Sequence, residues 1–161
     1  MEYPFWVIYL SMLKSSLHTI ILFGILLLAC FSLTAQKVQE PATTNTEWSK
    51  PYQPFRIAGN LYYVGTYDLA CYLITTTEGN ILINTGLAAS AKQIKNNIEK
   101  LGFKFADIKL LLTTQAHFDH VGAMAAIKKI TGARFMANAQ EATALSDGGS
   151  SDYALGGNAH K

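Results

Sequence analysis

The sequence predicts an α/β fold, a mixed β-sheet with helices packed against one face, on three observations. Two strand pairs joined by glycine-bearing turns occupy residues 55–84. The hydrophobic period then changes from two to about 3.6, with Ile94, Ile98 and Leu101 at i, i+4 and i+7. Finally, an apolar strand-like run at residues 108–113 leads into a second helical stretch.

In chain order, residues 55–58, the pair Gly59-Asn60 and residues 61–64 read as a β-hairpin. Residues 70–76 and 81–84 form a second pair around Glu78-Gly79-Asn80, a tight turn. Lys92, Lys95, Asn96 and Lys100 supply the polar side of the first helix, and Gly102 closes it as the residue just past its end. Residues 108–113 lack polar alternation, so this strand is expected to be buried on both faces. The second helix, residues 123–131, ends at Gly132 in the same manner. Residues 134–137 form a short strand, and Asn138-Ala139-Gln140-Glu141 reads as the capped entry to a short helix. No internal repeat or low-complexity segment is evident.

With 161 residues the chain is at most one domain. Residues 20–33 are a nearly unbroken apolar run after Lys14, too short and too weakly flanked for a membrane span. They read as a secretory signal with the small-residue exit Leu33-Thr34-Ala35, so residues 1–35 are expected to be removed before Gln36. The alternative is a lipoprotein signal, Leu27-Leu28-Ala29-Cys30, against which the bulk of Leu28 argues. Residues 1–11 are aromatic and apolar before any positive charge, and Met12-Leu13-Lys14 makes the more ordinary start. Residues 36–54, rich in Thr, Pro, Asn and Gln, read as a flexible, exposed lead-in, and residues 55–161 as the folded domain.

Removing 35 residues from 161 leaves 126, and the net charge stays at +2 because Glu2 and Lys14 leave together. That balance gives no case for nucleic acid or an acidic polymer as partner. Cys71 alone remains, so no intramolecular disulfide can form. It sits in the strand pattern Ala70-Cys71-Tyr72-Leu73-Ile74-Thr75 and reads as a small buried hydrophobe, with no His or Asn neighbour to activate it.

The chemistry concentrates where the apolar run ends, in Leu110-Leu111-Leu112-Thr113-Thr114-Gln115-Ala116-His117-Phe118-Asp119-His120. The chain has only four histidines, and two of them fall here beside a carboxylate and a carboxamide. In extended chain, positions 115, 117 and 119 point the same way, and His120 follows as the chain turns into a helix. Nitrogen and carboxylate donors converging at the end of a buried strand are what a zinc site with an open position requires. The plainer reading is a polar loop with satisfied histidines.

These residues resemble the metallo-β-lactamase superfamily signature His-x-His-x-Asp-His, with Gln115 where the first His usually stands. Ile81-Leu82-Ile83-Asn84-Thr85-Gly86 is similar to the family's earlier strand and turn, with Asn84 for the more usual Asp. Asp147-Gly148-Gly149-Ser150-Ser151-Asp152-Tyr153 resembles a loop of the third subclass of class B β-lactamases. Gln115 and Asn84 together point to the GOB-type branch, and the similarity covers roughly residues 55–157.

The resemblance implies a four-layer αββα sandwich, of which this chain supplies the first, N-terminal half. It implies one or two Zn2+ ions per full-length domain, a small-molecule β-lactam substrate and hydrolysis of its cyclic amide, hence antibiotic resistance. A monomer in the periplasm is expected. Carried over by position, Gln115 and His117 help hold one zinc, and Asp119 and His120 the other. Asp119 is also the catalytic residue, orienting the attacking water or shuttling its proton. A neutral amide oxygen is a poorer zinc donor than imidazole, so binding should be tighter at Asp119 and His120, with a single working metal as one outcome. The alternative is that Gln115 stabilises the loop and touches no metal.

Asn84 either bonds neighbouring backbone or braces a metal ligand. Residues 148–152 either border the substrate mouth or form an exposed turn, and Tyr153 anchors that loop. His160 lacks the Pro-Gly-His context of the family's later zinc ligands and is not assigned as one. Each family zinc site draws a further His from beyond residue 161. The chain is therefore expected to be a partial sequence, unstable or inactive alone. The rival readings are a non-catalytic fragment and another hydrolase of this fold, a thioesterase or lactonase. Gln115 and the secretory signal weigh against the latter.

Overall fold

The structure, a computed structural model, describes residues 40–41 and 45–152. The readings of the secretory signal, of Cys30, of the start at Met12, and of Tyr153 and His160 lie outside these residues.

Among the described residues six strands form one sheet in the order β1 to β6: β1 Phe55–Ala58, β2 Leu61–Tyr63, β3 Tyr72–Ile74, β4 Asn80–Ile83, β5 Ile108–Leu112 and β6 Arg134–Met136. The first four are antiparallel neighbours, whereas β5 runs parallel to β4 and β6 parallel to β5. Parallel neighbours need crossovers. Helix α1, Ala91–Lys100, makes the first; α2, Phe118–Val121, and α3, Met124–Thr131, make the second. Helix α4, Ala139–Ser146, follows β6. The mixed sheet of the sequence reading is therefore present, and both hairpins pair in the expected places.

Helix α1 is terminated as its sequence predicts. The Phe103 amide donates to the Ile98 carbonyl at 3.2 Å and the Gly102 amide to that of Glu99 at 3.0 Å, with Gly102 at φ 87°. This paired closure uses carbonyls that the last turn leaves without partners. Asn138 caps α4 by accepting from the Glu141 amide at 2.9 Å.

The core lies between the sheet and helices α1 and α3. Leu73, Leu82 and Leu111 occupy adjacent positions across β3, β4 and β5 and are fully buried, against Ile94, Ile98 and Ile127. Each such side chain contributes about 1.5–3 kcal/mol by leaving water. Cys71 is buried among them, as expected.

The expectation that β5 is buried on both faces is corrected. Ile108 and Leu111 are buried, but Leu110 and Leu112 are only half-buried and Lys109 is exposed. The reason is that among the described residues the helices cover one side of the sheet; Tyr72, Ile74, Ile81 and Ile83 on the other side are likewise half-buried. One buried polar residue gives no signal in the sequence. Asn97, on the buried side of α1, donates to the carbonyls of Val64 and Gly65, both at 3.0 Å, and accepts from Gln93 at 2.9 Å. Residues 45–54, within the stretch read as lead-in, include a helical turn at Thr46–Ser49. Its Trp48 donates to Asp68 at 3.0 Å and lies 6.2 Å from the Phe118 ring.

Candidate metal centre

The site forms where β4 and β5 end side by side. Beyond Leu112 the chain leaves the sheet, and its next residues are held by local and by long-range hydrogen bonds. The Thr113 hydroxyl donates to the Gln115 carbonyl at 2.5 Å. Residues 114–117 are irregular, and Asp119 and His120 lie inside the helical turn α2. The expectation that 115, 117 and 119 alternate in extended chain is thus corrected. His117, at φ −79° and ψ 150°, is the last extended residue, and its carbonyl accepts from the amides of His120 and Val121 at 2.9 and 3.0 Å.

That turn brings two donors together. Asp119 Oδ2 lies 3.5 Å from His120 Nε2, with their side chains 19% and 26% exposed. Two ligands about 2.1 Å from a tetrahedral zinc stand about 3.4 Å apart, so the pair is spaced as one edge of such a site. Donor chemistry and spacing both fit zinc. In number the pair is one short of the three protein donors of a catalytic site. No cluster of three or more His, Cys, Asp or Glu placed to hold a metal occurs among the described residues.

His120 is held from both sides of its backbone and ring. Its carbonyl accepts from the Thr85 amide at 2.8 Å and the Thr85 hydroxyl at 3.2 Å. Its Nδ1 lies 3.0 Å from the Thr114 hydroxyl, which in turn lies within 3.1–3.2 Å of the Asn84 amide group. With Nδ1 protonated and donating to Thr114, Nε2 keeps its lone pair for a metal. Burial pushes the His120 pKa down, which favours the neutral ring; Asp119 and Glu141 oppose and His117 assists that shift.

Asn84 bonds neighbouring backbone, the first of its two sequence readings. It is buried at φ 59°, a left-handed conformation that Asn tolerates better than most residues, and its Oδ1 accepts from the Thr114 amide at 3.0 Å. It thus bonds backbone and also reaches His120 through one hydroxyl.

His117 is turned elsewhere. Its Nε2 lies 2.9 Å from Asp152 Oδ2, with side chains 27% and 13% exposed. Asp152 arrives there through a turn in which Gly148 and Gly149 adopt φ 68° and 86°. Asp147 accepts from the Ser151 amide at 3.1 Å, and its hydrogen bonds from Ser151 hold its carboxyl below the usual range. The loop read as a possible mouth therefore delivers a carboxylate to a histidine. The Gln115 side chain makes no hydrogen bond among the described residues, and the Ala116 amide donates to the Glu141 carboxylate. Thr114 beside His120, Asp152 beside His117 and Glu141 on the Ala116 amide are not visible in the sequence. Only the cap at Asn138 and the double glycine marked their surroundings.

Comparison with known proteins bears on the family of the chain. The model of the metallo-beta-lactamase superfamily matches residues 65–159. Among solved structures, the class B3 di-zinc metallo-beta-lactamase LRA-12 from an Alaskan soil metagenome is 73% identical, with a TM-score of 0.72, over 75% of this chain and 46% of that one. A beta-lactamase from Chitinophaga pinensis is 59% identical, with a TM-score of 0.71 and coverage of 74% and 45%. The metallo-beta-lactamase GOB-18 from Elizabethkingia meningoseptica is 58% identical, with a TM-score of 0.71 and coverage of 75% and 45%. The chain thus spans less than half the length of these structures.

Proposed function

The chain belongs to the metallo-β-lactamase superfamily, and on that premise we propose that it carries part of the zinc-binding machinery of an enzyme that hydrolyses β-lactam antibiotics. The observation that carries the proposal is the Asp119–His120 pair, spaced as a zinc edge just beyond the end of strand β5. The high identity to three β-lactamases supports the substrate class.

Asp119 and His120 hold one ion in this reading, while His117 and, more weakly, Gln115 contribute to a second. Zinc, when bound, supplies Lewis acidity that brings the ionisation of water near neutral pH and polarises the lactam carbonyl. The chain's own residues orient and move protons. His120 offers Nε2 while Thr114 occupies Nδ1. An Asp119 carboxylate oxygen accepts the proton from the attacking water as its oxygen bonds to the carbonyl carbon. The ring C–N bond then breaks, the nitrogen takes up the proton that Asp119 holds, and the products are a carboxylate and an amine. No protein nucleophile is needed.

We further place the working protein in the periplasm, exported by residues 1–35, as a monomer with no nucleic-acid partner. The apolar run at residues 20–33 and the substrate class support this location. No helix among the described residues is long and apolar enough to cross a membrane.

The test uses the product of the whole open reading frame that contains these residues. Nitrocefin hydrolysis with bound zinc is expected, and Asp119→Ala combined with His120→Ala should abolish the hydrolysis and lower the zinc content. Hydrolysis that persists in the double variant after chelator treatment would overturn the proposal.

A further inference from the structure

We propose that helix α4 and the turn after it clamp the ligand-bearing turn from two sides, with Glu141 and Asp152 as positioning residues; the zinc consequence of this rests on the function proposed above. The first observation is where Glu141 sends its charge. It stands third in α4, the position from which a Glu commonly turns back to the capping residue's own amide. Asn138 supplies its half of that exchange by accepting from the Glu141 amide. The Glu141 carboxylate instead accepts from the amide of Ala116, 25 residues earlier. A backbone amide bonded to an ionised carboxylate is held more firmly than by a neutral acceptor.

The second observation lies at the other end of the same helix. The Gly149 amide donates to the Ala144 carbonyl at 2.7 Å, and the Asp152 amide to the Gly149 carbonyl at 3.1 Å. This folds the chain back, so that Asp152 meets His117 Nε2. Two adjacent residues of the motif, 116 and 117, are therefore gripped by two carboxylates borne on one helix and its following turn. The first grip fixes the backbone between Gln115 and His117. The second fixes the His117 ring and leaves its Nδ1 as the nitrogen available to a metal.

The test measures hydrogen exchange of the Ala116 amide in metal-free protein, and zinc affinity by chelator competition, in the product of the whole reading frame. Glu141→Ala should speed Ala116 exchange roughly tenfold or more and weaken zinc binding about 10–100-fold. Glu141→Gln keeps an acceptor oxygen and should recover most of both, which separates the hydrogen bond from mere charge and from damage to α4. Asp152→Ala should weaken zinc comparably while leaving Ala116 exchange unchanged. If wild-type protein takes up no zinc but Glu141→Ala still frees the Ala116 amide, the functional reading fails and the clamp stands. Unchanged Ala116 exchange in Glu141→Ala, or equal loss in Glu141→Gln, overturns the clamp whatever the zinc result.

Discussion

At Asn97 the shape and the proton inventory of one side chain separate cleanly. The residue is fully buried, and its amide nitrogen serves the Val64 and Gly65 carbonyls at the end of β2, tying helix α1 to the sheet. Asn97→Asp keeps the shape but removes both donors and sets a carboxylate against two carbonyl oxygens. A cost of about 2–4 kcal/mol is expected, read from the urea midpoint at neutral pH. Cys71 makes the complementary case. Burial pushes its thiol from 9.0 up to about 12, and burial likewise raises nearby Tyr63 from 10.0 to about 12. Both groups keep their protons in the folded protein at pH values where the unfolded chain loses them. Their contribution is therefore complete below about pH 9 and is lost as pH rises toward 12. Stability should fall across that window, the fall should be smaller in Cys71→Ala, and a thiol reagent at pH 8 should label Cys71 only after unfolding.

Among the elements, the contact between helix α2 and the loop after β4 decides whether the metal ligands stay in place. Gly122 closes α2, and a Cβ there would lie 2.6 Å from the Ala88 amide nitrogen and 2.7 Å from the Leu87 carbonyl carbon. Both are backbone atoms, so the side chain cannot be accommodated by a rotamer change. Gly122→Ala should destabilise toward the upper end of the roughly 1–3 kcal/mol that overpacking costs. It should also loosen the Thr85 bonds to the His120 carbonyl, visible as faster exchange of the Thr85 amide. Such contacts mark the limit of what the sequence made legible. The hairpins, the end of α1 at Gly102 and the cap at Asn138 are local patterns, with cause and effect a few residues apart. The candidate donors were legible for the same reason, being packed into residues 115–120. Thr114 carries no such local signal, because its partners are Asn84, 30 residues back, and a ring six residues on. Glu141 and Asp152 act across 25 and 35 residues, where no periodicity reports them. The burial of β5 is not legible, because an apolar run says that both faces are able to be covered, not that both are.

For the whole molecule, the side of the sheet that the described helices leave uncovered is the feature with the largest consequence. Tyr72, Ile83, Leu112 and Met136 are paired in register across four strands, and Ile74, Ile81 and Leu110 form the adjoining row. Met136 is 47% exposed and the other six are half-buried, a contiguous apolar surface of a kind that monomers rarely leave in water. The 161-residue chain in isolation should therefore bind a hydrophobic dye such as ANS and self-associate as its concentration rises. Replacing Leu112 and Met136 by Lys should suppress both effects and leave the far-ultraviolet spectrum unchanged, because neither side chain belongs to the core beneath α1 and α3. The same isolated chain should hold zinc weakly, since Asp119 and His120 offer two of three donors, and Lys at 112 and 136 should not improve it. Sedimentation velocity and chelator competition on the two proteins separate these effects. A dye-silent monomer at high concentration would show that residues beyond the described ones already cover the sheet.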